Sequence, residues 1–171
     1  MKKANSLIIM IGAPASGKST YAKKIKEESD KPINIVSRDK IRFHLLQEND
    51  EYFAKEEEVY DIFIDEIAKS LHDGITTIAD ATHLTKGSRI KLLASLSYVL
   101  SEDYDDKLMN YSIVACVMDT PYSVCKERND QRKGRLRVPD TVLNNMCADM
   151  TIPNFRKEPL FDEIEEIRWT E

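Results

Sequence analysis

Gly12, Gly17, Lys18 and Ser19 fall in the spacing G-x-x-x-x-G-K-[ST], inside the stretch LIIMIGAPASGKST that covers residues 7–20. Each residue type has a chemical use at its place. The glycines let the backbone take conformations closed to side chains. Successive N–H groups, from Gly12 and Ala13 through Ser16 and Gly17 to Thr20, can then converge on phosphate oxygens at the positive end of a new helix. Lys18 supplies a mobile charge for the β and γ phosphates, and the Ser19 hydroxyl is a hard oxygen ligand for Mg²⁺. The plain alternative is a glycine turn entering a helix. The apolar run in front of it favours nucleoside triphosphate binding.

Three more groups carry chemistry. In SRDKIRF, residues 37–43, Asp39 and Arg42 stand three apart, so a helix starting there would put them on one face with the carboxylate near its positive end. Ser37 or Asp39 could equally be a plain N-cap. In IADATH, an apolar run delivers Asp80, Thr82 and His83, and an aspartate at that place can hold a Mg²⁺-bound water or a catalytic arginine. Thr82 or His83 could instead cap the next helix. KERNDQRKGRLR, residues 126–137, sets Lys126, Arg128, Arg132, Lys133, Arg135 and Arg137 against only Glu127 and Asp130. It reads as a solvated basic helix end, or as a lid whose arginines neutralise a γ-phosphoryl group in transfer, with Gly134 as the bend.

The elements that must position these groups follow from periodicity. Leu7 to Ile11 reads as a strand buried on both faces, followed by a helix from Thr20 to about Ser29 that Lys31-Pro32 ends. Ile33 to Val36 is a second strand, and the acidic stretch Glu48 to Glu58 is a solvated loop or helix start that needs no functional explanation. Tyr60, Phe63, Ile64, Ile67 and Leu71 form a helical stripe stopped at Asp73-Gly74, and Ile75 to Ala79 is a third strand. Ile90, Leu93, Leu96, Val99 and Leu100 mark a helix closing before Glu102. Tyr111 to Met118 is a fourth strand, with Asp119 as N-cap and Pro121 in the first turn of the next helix. A further helix opens at Val138-Pro139-Asp140, with Val142, Leu143, Met146, Cys147 and Met150 inward, and Ile164 and Ile167 mark a last strand ending at Trp169. Strands alternating with helices predict an α/β three-layer sandwich around a parallel sheet of about five strands. Such sheets build their sites at the carboxyl edge.

Composition narrows the function. At 171 residues, 42% hydrophobic and 32% charged, the chain reads as one domain over 1–171. There is no apolar run of about 18 residues for a membrane span. Met1-Lys2-Lys3 leads into too short an apolar stretch, without a small-residue cleavage site, so a cytoplasmic protein is expected. The three cysteines lack C-x-x-C spacing, which indicates neither a disulfide framework nor a zinc site, and Cys116 reads as core. A net charge of -5 argues against coating nucleic acid through a broad basic surface. It is compatible with gripping a strand end.

Taken together and in order, the loop, SRDKIRF, IADATHLTKGSR, VMDTP, the arginine stretch and RVPDTVLNNM resemble the kinase domain of the phage polynucleotide kinase family, over nearly the whole chain. The resemblance implies a P-loop kinase-like fold with an arginine-rich lid at about 126–137. It implies ATP and Mg²⁺ at Lys18 and Ser19, Asp39 as the base that activates a 5′-hydroxyl of RNA or DNA, and Arg42 on the acceptor's phosphate. Asp80 matches the family's aspartate after the third strand, with Thr82 and His83 beside it at the acceptor. Arg132 best matches the lid arginine, Arg128 also aligns, and Arg135 competes with Arg132 because this lid is about two residues longer than the family pattern. The family's phosphatase motif D-x-D-G-T is absent. A separate phosphatase or ligase partner is therefore expected, and self-association is compatible with the pattern. The closing PLFDEIEEIRW resembles stand-alone kinases of the superfamily, some of which phosphorylate small molecules, so a nucleoside, sugar or antibiotic is the alternative acceptor. A nucleotide-binding switch is a third reading, without the N-K-x-D guanine signature.

Overall fold

The computed structural model describes residues 5–170, so Met1-Lys2-Lys3 and Glu171 lie outside the described residues. The strands are β1 (Ser6–Ile11), β2 (Ile33–Ser37), β3 (Thr76–Asp80), β4 (Ser112–Asp119) and β5 (Glu163–Arg168). They form one five-stranded sheet in the order β2-β3-β1-β4-β5, and every neighbouring pair is parallel. Six helices accompany them among the described residues: α1 (Lys18–Glu27), α2 (Arg38–Leu45), α3 (Glu56–His72), α4 (Lys86–Tyr104), α5 (Tyr122–Asp130) and α6 (Asp140–Asp149). This is the expected α/β sandwich.

Alternation along the strands divides the core. Leu7, Ile9 and Ile11 of β1, with Ala115 and Val117 of β4, face α3 and α4, where Phe63, Ile67, Leu92 and Leu96 are buried. Met10, Ile78 and Cys116 face the other way, against Ala22 of α1. Each buried Ile, Leu or Phe contributes about 1.5–3 kcal/mol, so both faces are well secured.

Four expectations need correction. Helix α4 continues through Glu102 to Tyr104, and its C-cap Asp105 turns the chain with φ 49°. Ile90 is 49% exposed, because the buried stripe of α4 runs through Arg89, Leu92, Leu93, Leu96 and Leu100, about a quarter turn away. Val142 is likewise exposed, since α6 buries only Leu143, against Ala13 and Cys125. Asp119 is not a cap. It ends β4, opposite Arg168, and the N-cap of α5 is Pro121, without a side-chain hydrogen bond.

Arg89 fixes the wall beside β3. Its side chain is fully buried, and its Nε and Nη2 donate to the two carboxylate oxygens of Glu158, each at 2.7 Å. Nη1 donates to the carbonyls of His83, Leu84 and Thr151 at 3.0 Å, and Nη2 also reaches Thr151 Oγ1 at 3.2 Å. The guanidinium thereby ties the β3–α4 loop to the chain after α6. Replacing Arg89 by Met would leave Glu158 buried and unpaired, with an expected loss of about 3–5 kcal/mol in denaturant unfolding. A loss below about 1 kcal/mol would show that the segment is held by packing alone.

Candidate active site

The loop between β1 and α1 is shaped by its two glycines. Gly17 has φ 101°, which a side chain would strain. At Gly12 the constraint is space: a Cβ would lie 2.7 Å from Ser16 Oγ and 3.0 Å from Met118 Cβ. Ala15 takes φ 63° without being glycine, a strained conformation costing on the order of 1 kcal/mol or more. The neighbours brace it, as Gly12 N–H donates to Thr82 O at 3.0 Å and the Thr120 hydroxyl to Ser16 O at 2.9 Å. Arg128 Nη1 donates to Ala15 O at 3.3 Å, and its guanidinium carbon lies 4.5 Å from the centroid of the Trp169 ring.

The loop is electrostatically primed for an anion. Lys18 is buried and its ammonium donates to Ala13 O at 2.7 Å. Burial lowers its pKa to about 8, opposed by the Asp80 and Asp39 carboxylates and reinforced by the Arg132 guanidinium, so all three charges act on the ammonium. Ser16 Oγ is buried without a hydrogen-bond partner. An orphaned polar atom inside a loop of converging donors fits a triphosphate, which would satisfy it. Ser19 Oγ donates to Asp80 Oδ2 at 2.7 Å, and Asp80 is buried with its pKa raised by desolvation. Two hard oxygens fit Mg²⁺. Among the described residues no group of three or more His, Cys, Asp or Glu could hold a metal, so its other ligands would be waters and phosphate oxygens. Thr20 is exposed in the first turn of α1.

Next to this, α2 begins directly after β2. Ser37 is its N-cap, accepting from Lys40 N–H at 3.5 Å, and Asp39 and Arg42 do share a face. Arg42 Nη1 donates to Asp39 Oδ1 and, at 2.9 Å, to the Tyr52 hydroxyl. Its Nε and Nη2 donate to Glu56 Oε2 at 3.2 and 2.8 Å. Arg42 is thus 5% exposed with four of its five N–H groups engaged, whereas the Asp39 side chain is 63% exposed. Tyr52 donates to Asp39 Oδ1 at 2.8 Å, and burial beside that carboxylate pushes the phenol up to about 12. Tyr52 and Glu56 lie in the acidic stretch that the sequence reading left without a function. One glutamate among several neighbours carries no spacing signal.

The remaining expectations divide. Thr82 is half-buried at the loop's edge, with its carbonyl on Gly12. His83 departs from an acceptor-binding place: it is buried, its Nδ1 lies 2.9 Å from Met10 O, and its ring stacks 6.0 Å from Phe63. Burial lowers its pKa to about 4, leaving a neutral ring. Arg132 acts on the charge of Lys18, and its Nη1 donates to Leu136 O at 3.4 Å. Arg135 is engaged by the chain after α2. Its Nη2 donates to the carbonyls of Gln47, Glu48 and Asp50, strapping the lid to the segment that follows α2. Lys126 and Arg137 pair with Asp130 and Asp140 and brace the lid.

The AAA domain family matches residues 7–153. A protein of Autographa californica nuclear polyhedrosis virus, named as a bifunctional polynucleotide kinase/RNA ligase, is 23% identical over 172 residues, covering 91% of this chain and 22% of its own length. A chain of the Pnkp1/Rnl/Hen1 RNA repair complex superposes with a TM-score of 0.70 at 21% identity, over 92% of this chain and 46% of that one. A sugar kinase from Janibacter sp. HTCC2649 superposes with a TM-score of 0.56 at 19% identity, over 96% of this chain and 84% of that one. This chain therefore spans under half the length of the first two. The likenesses place its fold among kinases.

The buried ammonium makes a testable cost. The folded pKa of Lys18, about 8, lies below the ordinary 10.5, so between these values the unfolded state holds the proton that the folded state has lost, and stability rises with pH across that window. Below it the charged form costs about 3 kcal/mol, partly returned by the bond to Ala13. Lys18→Met is expected to stabilise the nucleotide-free protein by about 1–3 kcal/mol at pH 7 and by less at pH 10, measured by denaturant unfolding. A destabilised variant at pH 7 would show that the ammonium is structurally required.

Proposed function

Since the chain belongs to the AAA domain family, and its phosphate loop, cation ligands and a framed carboxylate share one sheet edge, we propose that it is an ATP-dependent polynucleotide 5′-hydroxyl kinase. It transfers the γ-phosphoryl group of ATP to the 5′-hydroxyl end of RNA or DNA. The observation that carries this reading is Asp39: exposed, and oriented by Arg42 and Tyr52. A switch that only hydrolyses nucleotide has no use for a carboxylate held that way.

Asp39 accepts the proton of the attacking hydroxyl, and Arg42 and Tyr52 hold its Oδ1 so that the other oxygen stays available. Lys18 and Arg132 stabilise the charge that develops on the transferring phosphoryl group. Mg²⁺ held by Ser19 and Asp80 would neutralise charge on the β and γ phosphate oxygens. Arg42 offers its remaining N–H to the acceptor's first phosphate, on the 3′ side of the reacting hydroxyl. Arg132 takes the lid role over Arg135, whose Nη2 is committed to three carbonyls. Arg128 backs the loop at Ala15. ATP rather than GTP, a separate phosphatase or ligase partner, a cytoplasmic setting and self-association complete the reading. Among the described residues no helix is long and apolar enough to cross a membrane.

A small hydroxyl compound is the second acceptor class, favoured by the sugar kinase's comparable size. The same base and loop would serve it, but the phosphate-directed N–H of Arg42 would then have no partner.

Transfer of γ-labelled phosphate from ATP-Mg²⁺ to a 5′-hydroxyl oligonucleotide tests the reading. Asp39→Asn is expected to lower kcat by about 10²- to 10⁴-fold with the nucleotide affinity retained. Unchanged transfer in that variant would remove Asp39 from the mechanism. The log-log salt slope of oligonucleotide binding is expected at about -1.5 to -2, since only two or three phosphates of a single strand are engaged. A slope near -8 would contradict end recognition.

A further inference from the structure

Beside the site, two cations converge on one tyrosine ring. The guanidinium carbon of Arg38 lies 5.2 Å from the Tyr60 centroid, and Lys91 Nζ lies 4.5 Å from the same centroid. The Tyr60 hydroxyl is fixed 3.2 Å from Ser95 Oγ, so the ring is held between α3 and α4. Arg38 Nη2 bonds Glu56 Oε1, but its Nε is buried with no hydrogen-bond partner, and the side chain is 28% exposed. Lys91 is exposed and makes no ion pair among the described residues, although Glu57 and Asp61 stand on the neighbouring turns of α3. Glu56 is already shared, one oxygen to Arg38 and the other to Arg42.

Both cations stand at one ring, Arg38 is neutralised only through a Glu56 carboxylate that it shares with Arg42, and Lys91 is exposed without an ion pair among the described residues, so an anion can be met from their solvent side. Their places in the fold say which anion. Arg38 precedes Asp39 at the carboxyl end of β2, Tyr60 lies in the second turn of α3 after Glu56, and Lys91 lies in the second turn of α4 after the loop bearing Thr82. Because Arg38 shares Glu56 with Arg42, the cluster adjoins the acceptor side next to Asp39. We propose that Arg38 and Lys91 form a second phosphate subsite, which binds the acceptor's next phosphodiester beyond the one offered to Arg42. This deepens the kinase reading and rests on it: the chain recognises two successive backbone phosphates, and its preferred acceptor is at least a dinucleotide. Arg38 supplies planar donors and Lys91 a point charge, so recognition here is of backbone and indifferent to base.

The test compares three 5′-hydroxyl acceptors: a nucleoside, its 3′-monophosphate, and the dinucleotide bearing a 3′-phosphate. For the unaltered chain, kcat/KM is expected to rise at each added phosphate. Lys91→Gln, an exposed change, is expected to raise KM for the dinucleotide about five- to tenfold, to shrink the dinucleotide-to-monophosphate ratio by that factor, and to flatten the salt slope by about 0.7. Arg38→Lys, which keeps the charge opposite Glu56 but loses the planar guanidinium donors, is expected to shrink the same ratio. A ratio unmoved by either variant, with the monophosphate still preferred over the nucleoside, overturns the subsite and leaves the kinase reading standing. No preference for phosphate in any acceptor overturns both.

Discussion

Parallel pairing of β2 with β3, in the register that sets Ser37 opposite Asp80, is the constraint on which the site rests. Because side chains alternate between faces, a slip of β2 by one residue would send Val36 out of the core and shift the start of α2 that bears Asp39. The β3–β1 ladder extends the same logic, setting Ala79 opposite Ile9, after which Gly12 N–H reaches Thr82 O. Three adjacent strands thus end together, β1 in the glycine loop, β3 in Asp80 and β2 in the residues that start α2. No long loop has to find the site, since the apolar faces that fix the register have already placed it.

Local costs at this edge are carried by the packing beneath. Lys18 is buried as a cation and Ser16 Oγ has no partner, each an unfavourable state that a bound triphosphate would relieve, and Ala15 is held left-handed by its neighbours. On the acceptor side the arrangement is the reverse: Arg42 is nearly saturated by Asp39, Tyr52 and Glu56. One half of the site is built with unmet demand and the other is braced. That division suits a reaction in which the nucleotide brings the charge and the base must already be oriented.

The sequence showed the fold through strand runs and helical stripes, and the phosphate loop through spacing alone. It also brought Ser19 and Asp80 to one place, because a hard oxygen ligand after a strand is a positional signal. What it did not show depended on contacts over distance. Arg89 sat unremarked in a motif, and its role became visible only with Glu158 beside it, 69 positions away. Glu56 and Tyr52 lay in an acidic run where nothing distinguishes one carboxylate from the next. His83 illustrates the opposite error: its place after β3 suggested a ligand, and the turn at φ 43° carries the ring inward to Met10 and Phe63. Arg132 is the better match to the lid arginine and Arg135 its competitor, and they differ in that one acts on the charge of Lys18 while the other is strapped to the chain after α2.

The most direct measurement is a competition for the γ-phosphoryl group. A 5′-hydroxyl oligonucleotide, a nucleoside and a sugar would be supplied together at equal concentration with γ-labelled ATP and Mg²⁺, and the products separated. A site whose base is framed by an arginine with one N–H left for an acceptor phosphate predicts label on the oligonucleotide in large excess over the other two and over free phosphate. Label chiefly on the nucleoside or the sugar would contradict the acceptor assignment, and label chiefly as free phosphate would contradict Asp39 as a base for an acceptor hydroxyl.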